Sequence, residues 1–279
     1  MSRRRRVLST SRRRAEGRCT EMLQIIPTQN YAGFELRGDS GDFRSLLSAI
    51  YYIDNEEYLR RCGYNDVMNY FFGLAFEARY ALEGRRGFVC TDNNSKLWNY
   101  PDNIKLYPEV PDKNLYYVIR IPAVSLLFYA FVAEELVALD RRYREESGGD
   151  AADLAEKEAA AAFFPMMNTS VFHALDAVIG MRNRMALQEC LAFERANNFY
   201  LFRGYLTPYT DFLNEMYLSM TKLRRKRLLP VMMNDIICYR KNDTYLRIDK
   251  NIRAFAQAHK IPAGAVKYSA GIDWNKIKW

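Results

Sequence analysis

The side chains best suited to chemistry, by type and spacing, are cations. Arg3, Arg4, Arg5, Arg6, Arg12, Arg13, Arg14 and Arg18 lie in an opening segment that holds a single acid, Glu16. Guanidinium groups at this density contact phosphates, so the segment is a candidate arm for DNA or RNA. Two other readings stand beside it. The segment is a solvated tail without a role, or a start upstream of a natural initiator at Met22; or it touches an acidic protein or membrane surface. Nearly all of the formal net charge of +8 sits here, and the rest of the chain is close to neutral. A second basic run, Arg224-Arg225-Lys226-Arg227, follows a predicted helix from Asp211 to Leu223. The negative end of a helix dipole favours cations there, and a phosphate would be served equally.

Other chemistries find less support. Cys19, Cys62, Cys90, Cys190 and Cys238 are scattered and odd in number, which points to reduced thiols in a cytoplasmic protein rather than a disulfide framework. His173 and His259 add few metal ligands and no zinc spacing, so no metal is expected. Neither histidine stands beside a nucleophile, and His173 reads as a structural residue on an apolar helix face. No phosphate-binding glycine fingerprint is present and no cofactor is expected. Pro111-Asp112 resembles the start of a restriction-type nuclease core, yet no acid-x-Lys pair follows at a workable distance. An enzymatic reading rests on acids from Asp54 to Glu57, or on Asp92, meeting in a cleft where their pKa values would rise.

These residues must be positioned by an α+β fold, with a small mixed sheet and covering helices followed by a mainly helical second half. Leu23–Ile26 and Phe34–Arg37 flank turn residues and form a hairpin. Gly38-Asp39-Ser40-Gly41 supplies an N-cap for a helix to about Tyr52, and a second helix runs from Asn65 to before Gly84, where Arg79 and Glu83 are spaced to pair. Arg85–Thr91 forms a third strand, and Asp92–Asn114 a long polar loop. The organising stretch is Tyr116–Glu146: a strand broken at Pro122, then a helix with Ser125 as its cap. Leu126, Leu127, Phe128, Phe131, Val132 and Leu136 make that helix a core element. Arg120, Glu134 and Glu135 exclude a membrane span there. Gly148-Gly149-Asp150 opens a hinge. Beyond Pro165, Asn168, Thr169 and Ser170 cap a helix with Phe172, Leu175, Val178, Ile179 and Met185 turned to the core. Leu228–Cys238 reads as helix and Thr244–Ile248 as strand. The expected organisation is a tail over 1–21, an α+β domain over 22–146, a linker over 147–164 and a helical region over 165–279.

Two resemblances follow. NIRAFAQAHKIPAGAVKY, residues 251–268, resembles a helix-turn-helix unit through Ala256, Ile261, Pro262 and Val266. The resemblance implies that Lys267 and Tyr268 face DNA, with Arg253 and Lys260 near phosphates. Lys260 stands where a turn glycine is common, and Ser269 falls on a later apolar position. MLQIIPTQNYAGFELRGD, with FEARYALEG, resembles the opening of an uncharacterised family of small bacterial proteins of unknown function, over the first half of the chain from Met22. The expected function is a non-enzymatic interaction or regulatory protein that contacts DNA or RNA through the tail and the C-terminal helices. The rivals are an enzyme acting on nucleic acid and a subunit that binds only protein.

Overall fold

The computed structural model of the chain describes residues 23–53, 56–92, 113–148, 151–266 and 276–279. Strands β1 (Gln24–Pro27) and β2 (Gly33–Gly38) form the hairpin, and β3 (Gly87–Asp92) and β4 (Lys113–Pro122) complete a sheet of order β1-β2-β4-β3. Every pairing is antiparallel. The sheet is therefore antiparallel, not mixed. Phe34 and Leu36 face Ile121 and Ile119 across the β2–β4 ladder, and all four are buried. The residues alternating with them, Glu35, Arg37 and Arg120, line the opposite face. At Gly33 the two strands approach so closely that a Cβ would stand 2.0 Å from the Ile121 carbonyl oxygen, so only glycine fits.

Helix α1 (Ser40–Tyr51) starts in a capping box: Asp39 accepts from Gly41 and Asp42, and the Asp42 carboxylate accepts from the Asp39 N–H at 2.8 Å. A short α2 (Glu56–Arg61), for which the sequence carries little apolar periodicity, precedes α3 (Asn65–Leu82). Arg79 and Glu83 pair on its exposed side at 3.9 Å. Helix α4 (Ala123–Ser147) follows β4 without a loop and ends at Gly148, whose φ of 70° suits glycine. The six apolar residues singled out in it are all fully buried. Ser125 does not cap it. Pro122, at φ −53°, already sets the entry to the helix, and Ser125 is its third residue.

Helix α5 (Ala151–Ala161) occupies most of the expected linker, consistent with the high helix propensity of its alanines and glutamates. Helix α6 (Phe163–Ile179) begins ahead of the expected cap because Pro165 is tolerated in a first turn. Asn168 is thus internal, and its amide donates to the Ala130 carbonyl at 3.0 Å. Gly180 separates α6 from α7 (Met181–Asn197), which rotates Met185 to the surface. His173 is exposed and stands 4.0 Å from Asp176, so it is no core histidine. Helices α8 (Pro208–Leu218), α9 (Lys222–Ile237) and α10 (Asp243–His259) follow. The expected strand Thr244–Ile248 lies within α10. Asn242 caps that helix by accepting from the Tyr245 N–H at 3.1 Å, and Tyr245, Ile252 and Ala256 are buried at helical spacing. Buried residues from Leu23 to Ile252 form one continuous cluster. Among the described residues no helix is long and apolar enough to cross a membrane.

Candidate functional site

A concavity with convergent polar groups, a cleft of about 960 Å³, opens on the sheet face that carries Glu35, Arg37, Val118 and Arg120. Its volume is in the range of small-molecule sites. Tyr70, Gly73 and Glu77 of α3 form one wall, the start of α4 with Ser125 and Tyr129 the back, and Asp211 and Trp279 border it further. Residues far apart in the chain meet here because β4 runs directly into α4 while α3 and α8 pack alongside.

On the sheet, Arg37 donates to Glu35 from Nε at 3.1 Å and from Nη2 at 2.5 Å, and Arg120 donates to the other carboxylate oxygen at 3.0 Å. Burial alone would raise the Glu35 pKa, but the two guanidinium groups outweigh it and hold the carboxyl below its usual range. Across the cleft Arg86 grips Glu77 through two bonds of 2.7 and 2.8 Å. The cleft thus holds three guanidinium groups against two carboxylates paired with them, Glu35 and Glu77, and a third acid, Asp211. Burial pushes the Asp211 carboxyl up to about 6, an effect that the nearby Tyr70 hydroxyl only partly offsets.

Tyr70 joins Asp211 to Ser125. Its hydroxyl lies 2.9 Å from Ser125 Oγ, and it also interacts with the Asp211 carboxyl. Burial holds the Tyr70 phenol protonated, so it can pass a proton but not act as the resting base. Asn214, behind the wall, donates to Ser125 Oγ at 2.8 Å and to Tyr70 Oη at 3.3 Å. Its own Oδ1 is buried and has no hydrogen-bond partner among the described residues. Gly73 keeps the wall open: a Cβ there would stand 3.1 Å from the Tyr129 hydroxyl. Pro122 brings no side-chain cap to α4; the Ala123 N–H donates to the Ala32 carbonyl at 3.1 Å, and Pro122 and Ser125 line the cleft at this positive end of a 25-residue helix.

Of the acids singled out in the sequence, none among the described residues lines this cleft. Asp54 and the Glu56 side chain lie outside the described residues, as does Asp112, while Glu57 and Asp92 are exposed. Glu35 and Arg37 had a usable signal in the charged alternation of Phe34-Glu35-Leu36-Arg37. Tyr70, Ser125 and Asp211 had none, since three separate helices bring them together.

The cationic candidates disperse. Arg3, Arg4, Arg5, Arg6, Arg12, Arg13, Arg14, Lys267 and Tyr268 lie outside the described residues. The run Arg224–Arg227 does not end a helix; it lies in the first turns of α9, because the chain breaks at Ser219-Met220-Thr221 and restarts at Lys222. Arg225 is buried, and its guanidinium donates to the carbonyls of Tyr217 (3.2 Å), Leu218 (2.5 Å), Asn30 (3.1 Å) and Lys278 (3.5 Å). It closes the C-terminal end of α8 and is not available to a phosphate. Arg224, Lys226 and Arg227 are exposed and form no ion pair among the described residues. Arg253 pairs with Asp249 at 2.7 Å on its own helix. Lys260 adopts φ 55° at the end of α10, and a single 3-10 turn, Ala263–Ala265, follows where the second helix of a helix-turn-helix would begin. That turn is docked: a Cβ at Gly264 would stand 2.0 Å from an Asp66 carboxylate oxygen.

Fold and site together define an α+β protein with a polar, charge-lined cleft between an antiparallel sheet and its flanking helices. Residues 23–279 match the family described as "Domain of unknown function (DUF6904)", and the chain belongs to that family. The match extends well past the first half of the chain, to which the resemblance in sequence is confined. No curated protein and no solved structure matches the chain significantly.

Proposed function

We propose that the cleft binds a small polar molecule through an anionic group and acts on it by general acid–base chemistry. The observation that carries this reading is Asp211, a carboxyl that exchanges its proton at about pH 6 and interacts with Tyr70, itself 2.9 Å from Ser125 at the cleft wall. A general acid or base works best with a pKa near the operating pH. With Asp211 protonated, the cleft carries one more guanidinium than carboxylate, and the N-terminal end of the α4 dipole adds to the positive potential. Arg120 and Arg37 are the groups that would hold the anion. Asp211 would exchange a proton with the bound molecule by way of Tyr70 and Ser125.

The test is a thermal-shift screen of the full chain with phosphomonoesters and small carboxylates, wild type against Arg120→Gln and Tyr70→Phe. A ligand present at about a hundredfold excess over its Kd stabilises by about 2.7 kcal/mol, a shift of several degrees. The reading predicts a shift that Arg120→Gln abolishes. It also predicts that Tyr70→Phe retains the shift and abolishes turnover of the same compound. A screen without a hit, or a hit unaffected by Arg120→Gln, overturns it.

A nucleic-acid contact is the second reading, supported by the exposed cations at the start of α9. Lys222 and Lys226 also stand 5.1 and 5.9 Å from the Tyr31 ring, which groups them beside the hairpin turn. Phosphate contacts of this kind are salt-dependent, with a slope of roughly 0.9 per phosphate. Replacing Arg224, Lys226 and Arg227 by Ala, or deleting residues 2–18, should flatten that slope in a gel shift. Retardation absent at low salt on both DNA and RNA removes the reading.

A further inference from the structure

Apart from the cleft, the chain brings two of its five cysteines together. Cys190 lies within α7, and Cys238 follows the last turn of α9; their sulfur atoms are 3.9 Å apart. Neither Cys62 nor Cys90 has a second sulfur within hydrogen-bonding reach among the described residues. A disulfide needs the two sulfurs to close to about 2 Å, a movement that side-chain rotation can supply when both β-carbons already face one another. The pair is half-buried rather than sealed. A cavity of about 270 Å³ lined by Glu194, Asn198, Cys238, Arg240 and Lys241 gives access from solvent.

We propose that Cys190 and Cys238 are a site of reversible oxidation, at which a hydroperoxide converts the dithiol to a disulfide that ties α7 to the C-terminal end of α9. The proposal is independent of the reading of the cleft. The polar groups around the pair fit it. Asn234 Oδ1 lies 3.5 Å from Cys190 Sγ and 3.9 Å from Cys238 Sγ and accepts a hydrogen bond from either thiol, which keeps both sulfurs turned to one side chain. Glu194, 3.9 Å from Cys238 Sγ, is engaged by Lys241 at 2.8 Å; burial, with Cys190 and Glu194 alongside, pushes the Cys238 thiol up to about 11, which leaves Cys190 as the sulfur that attacks the peroxide and Cys238 as the one that closes the disulfide.

The steps balance with the hydroperoxide as the only oxidant. One thiol loses its proton, and the thiolate attacks the terminal peroxide oxygen. The O–O bond breaks, the remaining oxygen leaves as water or alcohol after taking up the proton, and the attacked sulfur becomes a sulfenic acid. The second sulfur then attacks the sulfenic sulfur, forming the S–S bond. The S–O bond breaks, and the oxygen leaves as water with the second thiol proton. The dithiol has given up two electrons and two protons, and a thiol reductant reverses the change.

The test uses the full chain with Cys19, Cys62 and Cys90 replaced by Ser, treated with hydrogen peroxide and digested without reduction. The expected result is one cross-linked peptide pair holding Cys190 and Cys238, lighter by two hydrogens than the separate peptides. Both thiols should disappear from titration together and return with dithiothreitol. The same cross-link should be mapped in the unsubstituted chain, which guards against misfolding of the variant. Oxidation of one cysteine to a sulfinic acid while the other stays titratable, or linkage only between separate molecules, would overturn the proposal.

Discussion

Asp211 carries the chemistry proposed for the cleft, and its titration gives a test at the level of one residue. Burial raises its pKa from 3.8 to about 6 in the folded chain. The folded state therefore binds this proton more tightly than the unfolded state, and stability falls as pH rises between about 4 and 6. Above that window the full cost of burying the charge is in place. Asp211→Asn keeps an oxygen acceptor for Tyr70 and removes the charge. The variant should be more stable than wild type by about 1–2 kcal/mol at pH 7.5, after discounting for partial exposure, and equal to it near pH 4. Thermal melts of both proteins across this range check the sign. Glu35 behaves oppositely. Its carboxyl is held low, so its contribution with Arg37 and Arg120 is present at neutral pH and lost as pH falls through the carboxylate range. Neither behaviour could be read from the sequence, because a pKa depends on neighbours that only the fold supplies.

At the level of elements, Arg225 separates a structural cation from available ones. Its guanidinium meets four backbone carbonyls, from the end of α8, the hairpin turn and Lys278. Arg225→Met should cost about 3 kcal/mol by leaving those acceptors unpaired, and should release the 276–279 segment that Asn30 also holds through the Trp279 carbonyl at 3.0 Å. Replacing Arg224, Lys226 and Arg227 together should change stability by less than about 0.5 kcal/mol. Denaturant titration of the two variants distinguishes the roles. The same region shows where sequence patterns stop. Hairpin, the N-cap of α1 and the β4–α4 run were legible because turn residues, Asp39 and Pro122 act locally. The break at Ser219-Met220-Thr221 carries no strong breaker, so the sequence reads the first helix on to Leu223 with the basic run at its end, and starts the next at Leu228 instead of Lys222. Thr244–Ile248 looked like a strand since one buried tyrosine and an isoleucine fit either period, and the Asn242 cap decided for helix.

Across the whole molecule, one core joins the sheet to the C-terminal helices. Phe131 in α4 is buried against Phe172 of α6, with ring centroids 6.5 Å apart, while Phe128 meets Phe202 and Tyr205. Phe131→Asp would place a charge in that core at a cost comparable to the entire stability of a domain. It should abolish the thermal transition of the whole chain and not only of residues 22–146; a surviving transition from the helical half would show two separable cores. The α+β class and the centrality of α4 were legible from apolar patterning. The cleft was not, since it gathers a strand face, three helices and Trp279 from positions scattered over the chain. Its role is tested most directly by calorimetry of a thermal-shift hit against wild type and Gly73→Leu. The leucine would project into the cleft toward Tyr129 from the rim of α3. The prediction is saturable binding at one site per chain in the wild type, and none in a Gly73→Leu protein that still melts cooperatively. Equal binding by both proteins would contradict the assignment of the cleft as the ligand site.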